Sequence, residues 1–190
     1  MAKQALAILD AADHIHLGPL HPDDLDRDLY PLVQKSRATV SLDVQGCVRQ
    51  IIGGRVIERA SDILPDALRC ADCIKADRGE YDLMLGALEM DVEDLMNEFE
   101  LREVVVTEGL EGGFVVERSG NVTPYAAVQI ATAADSAGAG DVFMAAYLVF
   151  RLHERRTVAE SSRYAAEVAA RQVEGTYITE AALRIETASL

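Results

Sequence analysis

The chain has 190 residues with 18 Lys and Arg against 32 Asp and Glu, a net charge of −14, and 49% hydrophobic against 26% charged residues. That balance suits a single folded domain, is too apolar for wholesale disorder, and at this length hides about 70% of the surface of the unfolded chain. The acid surplus opposes sequence-independent binding to nucleic acid or to an anionic membrane, because both require clustered Lys and Arg.

No run approaches the roughly 20 apolar residues that span a bilayer. The opening MAKQALAILDAAD carries one Lys with Asp10 and Asp13, the wrong build for a signal peptide. Cys47, Cys70 and Cys73 are three cysteines, which cannot all pair with one another, so a reducing cytoplasm is the expected location. Cys70-Ala-Asp-Cys73 has C-x-x-C spacing and leaves two readings open. A zinc site needs two further ligands that are not evident, and a redox pair would open a helix, whereas Cys73 begins the strand-like run Cys-Ile-Lys-Ala. Core cysteines are the preferred reading.

In chain order, a short strand is predicted at His14–Leu17 and a helix from Asp23 to Ser36, acidic at its start and basic at Lys35 and Arg37. A strand follows at Thr39–Val44, then a hairpin in which Ile51-Ile52 and Val56-Ile57 flank Gly53-Gly54-Arg55. A helix over Ile63–Cys70 precedes a strand at Cys73–Ala76. Helices over Arg78–Leu88 and Val92–Glu100 come next, the second capped by Asp91, and the acids of residues 89–100 are expected to form a solvated face. Glu103–Thr107 (EVVVT) is β-branched and suits a strand buried on both faces. Phe114–Glu117 and Asn121–Tyr125 form a hairpin around Ser119-Gly120. After an extended stretch at Val128–Ala131, helices are predicted over Ala139–His153 and Val158–Glu174. Thr157 and Glu160 make a capping box for the second, and Gly175 stops it. Alternating strands and helices predict an α/β fold with a mostly parallel sheet and antiparallel hairpins, and residues 1–190 read as one domain.

Chemistry concentrates in Asp135-Ser-Ala-Gly138-Ala139-Gly140-Asp141-Val-Phe143, which opens the most apolar predicted helix. Gly138, Ala139 and Gly140 leave backbone N–H groups of the first helical turn bare, which together with the helix dipole make an anion site. A carboxylate beside an anion site is useful if Asp141 takes a proton from a hydroxyl while the anion hole holds the phosphoryl group under attack. On the motif alone the alternative is equally open: Asp141 stabilises the helix terminus and Gly-Ala-Gly is a tight turn.

This segment resembles the C-terminal signature of the PfkB/ribokinase-like carbohydrate kinases, D-T-x-G-A-G-D with a nearby Phe. Other segments are similar to the family in the same order: Ala12-Asp13-His-Ile-His-Leu-Gly18 and Leu42-Asp43 to Arg49 to two mid-chain strands, Asp77-Arg-Gly-Glu80 to its N-x-x-E region, and Thr107-Glu-Gly109 with Gly112-Gly113 to its nucleotide segment. The resemblance implies a ribokinase-like sheet flanked by helices and an ATP-dependent kinase of an alcohol on a sugar, polyol or nucleoside. It makes Asp141 the catalytic base, with Gly138, Ala139 and Gly140 as the anion hole. It places Thr107 and Gly109 along the ATP phosphates, Asp77 and Glu80 near magnesium and phosphate (Glu80 acting on the metal indirectly), and a monovalent cation such as K+ near the Asp135 loop. Asp43 and Arg49 are candidates for contact with the acceptor, or for a strand-end salt bridge. His14 and His16 share a strand face, without a clear third metal ligand.

The sequence departs from the family pattern in three places. The usual Thr is Ser136 and the usual Asn is Asp77, and the N-terminal substrate-binding and lid segment has no counterpart, so an N-terminally truncated fold is expected. A homo-oligomer or a second chain would then supply that segment. The alternative is a non-catalytic nucleotide-binding or truncated remnant that dimerises through an exposed sheet edge.

Overall fold

The computed structural model describes residues 8–9, 11–130 and 136–175. The chain divides into two units, one of residues up to Glu108 with Phe114–Val122, the other of Gly109–Gly113 with Thr123 onwards.

The first unit holds β1 (His14–Leu17), α1 (Leu29–Gln34), β2 (Thr39–Asp43), β3 (Arg49–Ile52), β4 (Arg55–Glu58) and α2 (Leu64–Leu68). These are followed by β5 (Cys73–Asp77), α3 (Arg78–Leu88), α4 (Val92–Glu98), β6 (Glu103–Thr107) and β7 (Gly113–Glu117). Its main sheet runs in the order β1-β2-β5-β6-β7, and the first four strands are parallel. The β-branched run of β6 is interior, with Val104, Val105 and Val106 fully buried. The loop from β6 to β7 is short, and β7 returns beside β6, with Arg118 N–H donating to the Arg102 carbonyl at 2.9 Å.

Register and the two-residue period of a strand sort the side chains into two faces. Leu17, Val40, Leu42, Ile74, Ala76, Val104 and Val106 join one apolar cluster with Tyr30, Leu64, Leu68, Met84 and Leu95 from the helices. The opposite face carries His14 and His16 on β1, Ser41 and Asp43 on β2, and Cys73 and Lys75 on β5. Nε2 of His14 and Nδ1 of His16 lie 2.9 and 2.7 Å from the Ser41 hydroxyl.

All three cysteines are buried. Burial pushes the Cys47 thiol up to about 12 and the Cys70 thiol up to about 11. Such thiols are not the thiolates that metal or redox work requires. The acids at 89, 91, 93, 94, 98 and 100 face solvent while Leu95, Met96 and Phe99 turn inward, as the patterning predicts.

One helix differs from expectation. The helix predicted over 23–36 is only Leu29–Gln34, with no acid in its first turn and no base in its last. The aspartates satisfy nearby backbone instead: Asp24 accepts from Leu20 and His21 N–H, both at 2.8 Å, and Asp26 from Asp28 N–H at 3.1 Å. Such local bonds compete directly with helix formation. Elsewhere boundaries move by one to three residues, as at Val92–Glu98 and Leu64–Leu68. The β3–β4 hairpin turns at Gly53 and Gly54, with φ of +60° and +77°, the conformation that a two-residue hairpin demands.

The second unit holds β8 (Val122–Tyr125, from Thr123), α5 (Ala139–Leu148), a π-helical extension at Val149–His153, and α6 (Val158–Val173). Residues 126–130 join no strand ladder. The capping box at Thr157 and Glu160 is present, and Gly175 follows α6 at φ +72°. α5 and α6 pack along one another, burying Phe143, Met144, Tyr147 and Leu148 on one and Ser161, Ser162, Ala165 and Ala166 on the other. Gly112 has φ +92°, and a Cβ there would collide with the Tyr125 carbonyl.

Candidate functional site

In an open parallel sheet, ligands gather at the carboxyl ends of the strands. In the first unit those ends bring together residues separated by more than 30 positions in sequence. Asp43 ends β2, where one carboxylate oxygen accepts from Gln45 N–H at 3.0 Å. The other oxygen pairs with Lys75 Nζ at 2.8 Å, both side chains being under a tenth exposed. Asp43 is therefore committed to internal partners.

Asp77 ends β5 and caps α3. Glu80 N–H donates to Asp77 Oδ1 and Asp77 N–H donates to Glu80 Oε2, each at 2.8 Å. The remaining Glu80 oxygen receives Arg49 Nη2 at 3.4 Å. Arg49 is also within 2.8 and 2.6 Å of the Gln45 side-chain oxygen when that amide is turned to face the guanidinium. A chain of hydrogen bonds and ion pairs thus links Lys75, Asp43, Gln45, Arg49, Glu80 and Asp77. Burial holds the Glu80 carboxyl above the ordinary glutamate range, opposed by the Asp77 N–H and Lys75 and reinforced by Asp77 and Asp43. Thr107 is the β6 residue directly opposite Asp77.

Asp77 and Glu80 form an all-oxygen pair, the donor type that suits magnesium, which is commonly held by one or two carboxylates with substrate phosphates. Both Glu80 oxygens are occupied internally. Among the described residues, Asp77 Oδ2 has no hydrogen-bond partner. The donor chemistry therefore fits a magnesium ion held directly by Asp77, with Glu80 orienting Asp77.

In the second unit, Gly138 caps α5 from the left-handed region at φ +73°, with no side-chain cap hydrogen bond among the described residues. Ala139 N–H is taken by the Ser136 carbonyl at 3.2 Å, and Val142 N–H by Gly138 at 3.0 Å. That leaves the N–H groups of Gly140 and Asp141, which have no acceptor among the described residues. The Asp141 carboxylate is exposed in the same turn. Behind it Phe143 is buried, stacking on Tyr125 at 5.0 Å and toward Tyr147 at 6.3 Å. Tyr147 is fully buried. Phe150 stacks on Tyr164 at 4.8 Å. Gly109 begins a short 3-10 turn at φ +58°. Asp135 lies outside the described residues.

Lys75 was not singled out by sequence reasoning, although a lone charge in the strand Cys-Ile-Lys-Ala-Asp is a signal: an isolated buried lysine requires a buried acid. Arg78 offered no such signal, since it stands among polar residues in the sequence, and Gln45 carries no charge that would demand a partner.

The family model described as pfkB family carbohydrate kinase matches residues 1–183. No curated protein sequence matches at a significant level. Among solved structures, a pyrophosphate-dependent kinase of the ribokinase family, determined with a pyrophosphate analog and myo-inositol, is 21% identical with a TM-score of 0.72, over 86% of this chain and 58% of that one. Arabidopsis thaliana ribokinase, determined with ribose and ATP, is 23% identical with a TM-score of 0.69, over 92% and 54%. A Burkholderia thailandensis nucleoside kinase in complex with inosine is 16% identical with a TM-score of 0.70, over 90% and 53%. The chain thus spans little more than half the length of these structures, and likeness at this identity establishes a common fold.

Proposed function

Because the chain belongs to the pfkB family of carbohydrate kinases, we propose that it takes part in phosphoryl transfer from ATP to a hydroxyl of a sugar, polyol or nucleoside. The observation that carries this reading is the first turn of α5, where a bare glycine cap and two N–H groups without acceptors among the described residues adjoin the exposed Asp141 carboxylate.

Asp141 accepts the hydroxyl proton as the oxygen attacks, a contribution of about 10²–10⁴ in rate. The N–H groups of Gly140 and Asp141, with Gly138 and Ala139 shaping the turn, stabilise charge developing on the transferred group. One such donor is worth about 2.7–4 kcal/mol. Thr107 and Gly109 follow the donor phosphates, and Asp77, oriented by Glu80, would hold magnesium, which would supply charge neutralisation. A monovalent cation such as potassium, if held by Asp135, would add positive charge beside the anion hole. Arg49 reads the acceptor, and Asp43 acts through Lys75 rather than by touching it. In this reading residues 1–190 form the ATP and base portion of one ribokinase-like domain, working in the cytoplasm.

The test is product formation from Mg-ATP, and in parallel from pyrophosphate, with potassium present and across sugars, inositols and nucleosides. Wild type and Asp141→Asn are compared. Acceptor-dependent turnover that falls by about 10²–10⁴ in the variant is the expected result. Turnover unaffected by Asp141→Asn removes the base assignment, and no turnover with any pair leaves at most nucleotide binding without transfer.

A further inference from the structure

The geometry points to Arg78 as a positioning residue that clamps both ends of the Gly109–Gly113 loop and so sets its shape for the phosphate donor. This rests on the reading of Gly109 as a donor contact. Arg78 is the first residue of α3, next to Asp77. Its Nε donates to Glu108 Oε1 at 2.9 Å, at the exit of β6 immediately before the loop. Its guanidinium lies over the Phe114 ring, 5.3 Å from the centroid, one residue past the loop. Tyr81, one turn along α3, meets the same ring edge-on at 5.9 Å and 87°. A single helical turn therefore holds the residue before the loop by an ion pair and the residue after it by ring contacts.

The loop between these anchors depends on them. Gly109, Gly112 and Gly113 all have positive φ, at 58°, 92° and 155°, and glycine leaves the backbone wide conformational freedom. Fixing the ends removes much of that freedom before a ligand arrives, which is how preorganisation raises affinity. Because Arg78 follows Asp77 directly, the residue that anchors the loop is continuous with the carboxylate proposed to hold magnesium. Lysine cannot replace arginine fully here: it keeps the charge for Glu108 but loses the planar group that lies over Phe114.

The experiment compares wild type, Arg78→Ala, Arg78→Lys and Arg27→Ala, the last removing an exposed ion pair with Asp62 and Asp66. One readout is amide hydrogen exchange in peptides covering residues 108–114, which needs no turnover. The other is donor KM, followed separately from kcat and acceptor KM. In Arg78→Ala, exchange across 108–114 is expected to quicken about three- to tenfold, the scale of a lost surface pair plus a cation–π contact. Donor KM rises by a similar factor while kcat and acceptor KM hold, Arg78→Lys recovers part of both, and Arg27→Ala changes neither. Unchanged exchange in Arg78→Ala overturns the clamp, as does a uniform rise in every peptide. Faster local exchange with an unaltered donor KM overturns its role in donor binding. Faster local exchange in a protein whose wild type binds no donor upholds the clamp and overturns the kinase reading.

Discussion

At the scale of single residues, Glu80 carries two demands that oppose each other. Its burial favours the protonated acid, while its proposed role of orienting Asp77 toward magnesium requires the ion. Its folded-state pKa lies above the unfolded value, so its contribution to stability is fully present below the ordinary glutamate range and is lost as pH rises through the raised value. Activity moves the other way, rising with pH across the same window as the carboxylate ionises. Glu80→Gln is expected to flatten the acid limb of both profiles, measured by urea unfolding and by initial rates from pH 4 to 8. Lys75 and Asp43 are a simpler case. Lys75→Met strands a buried carboxylate and should cost about 3–5 kcal/mol, read as a shift in urea midpoint. Replacing both residues with apolar ones should recover most of that loss, less the turn bond from Gln45 N–H to Asp43.

At the scale of elements, three α-helices among the described residues begin on side-chain caps, at Asp77, Asp91 and Thr157. Thr157→Ala is expected to lower stability by about 0.5–2 kcal/mol with no effect on any ligand, since that cap serves only α6. Asp77→Asn separates structure from chemistry. Asparagine caps a helix as well as aspartate does, so the unfolding midpoint should hold while the carboxylate proposed to hold magnesium is removed. Donor KM is expected to rise, most at low magnesium, and titration calorimetry with Mg-ATP checks the same weakening without turnover. The helix predicted over 23–36 shows the limit of composition as a guide. Its acids match a helix N-terminus on paper, yet aspartates bonding backbone two to four residues away stabilise turns instead.

At the scale of the whole molecule, a net charge of −14 imposes self-repulsion on the folded state. The screening length falls from about 30 Å at 0.01 M salt to about 8 Å at 0.15 M. Thermal unfolding should therefore shift to higher temperature over that range. The exposed pairs of Arg27 and Arg78 lose attraction under the same conditions, but such pairs are worth about 0–1 kcal/mol each, and the buried Lys75–Asp43 pair is little screened. A melting temperature that falls with added salt would show that the ion pairs outweigh the net repulsion. No helix among the described residues is long and apolar enough to cross a membrane.

What the sequence determined by itself is whatever depends on neighbours in the chain. The capping box at Thr157/Glu160, the cap at Asp91, the Gly53-Gly54 turn, the strand Glu103–Thr107 and the glycine-bare helix start before Asp141 were all legible, because each is a local bond or a local period. The tertiary structure decided the remainder. Lys75 meets Asp43 across 32 positions and Arg49 meets Glu80 across 31, and Arg78 reaches Glu108 only because β5 and β6 lie side by side. Parallel pairing aligns the carboxyl ends of strands far apart in sequence, and burial there forces each charge to find an opposite one. No local pattern records which partner it finds.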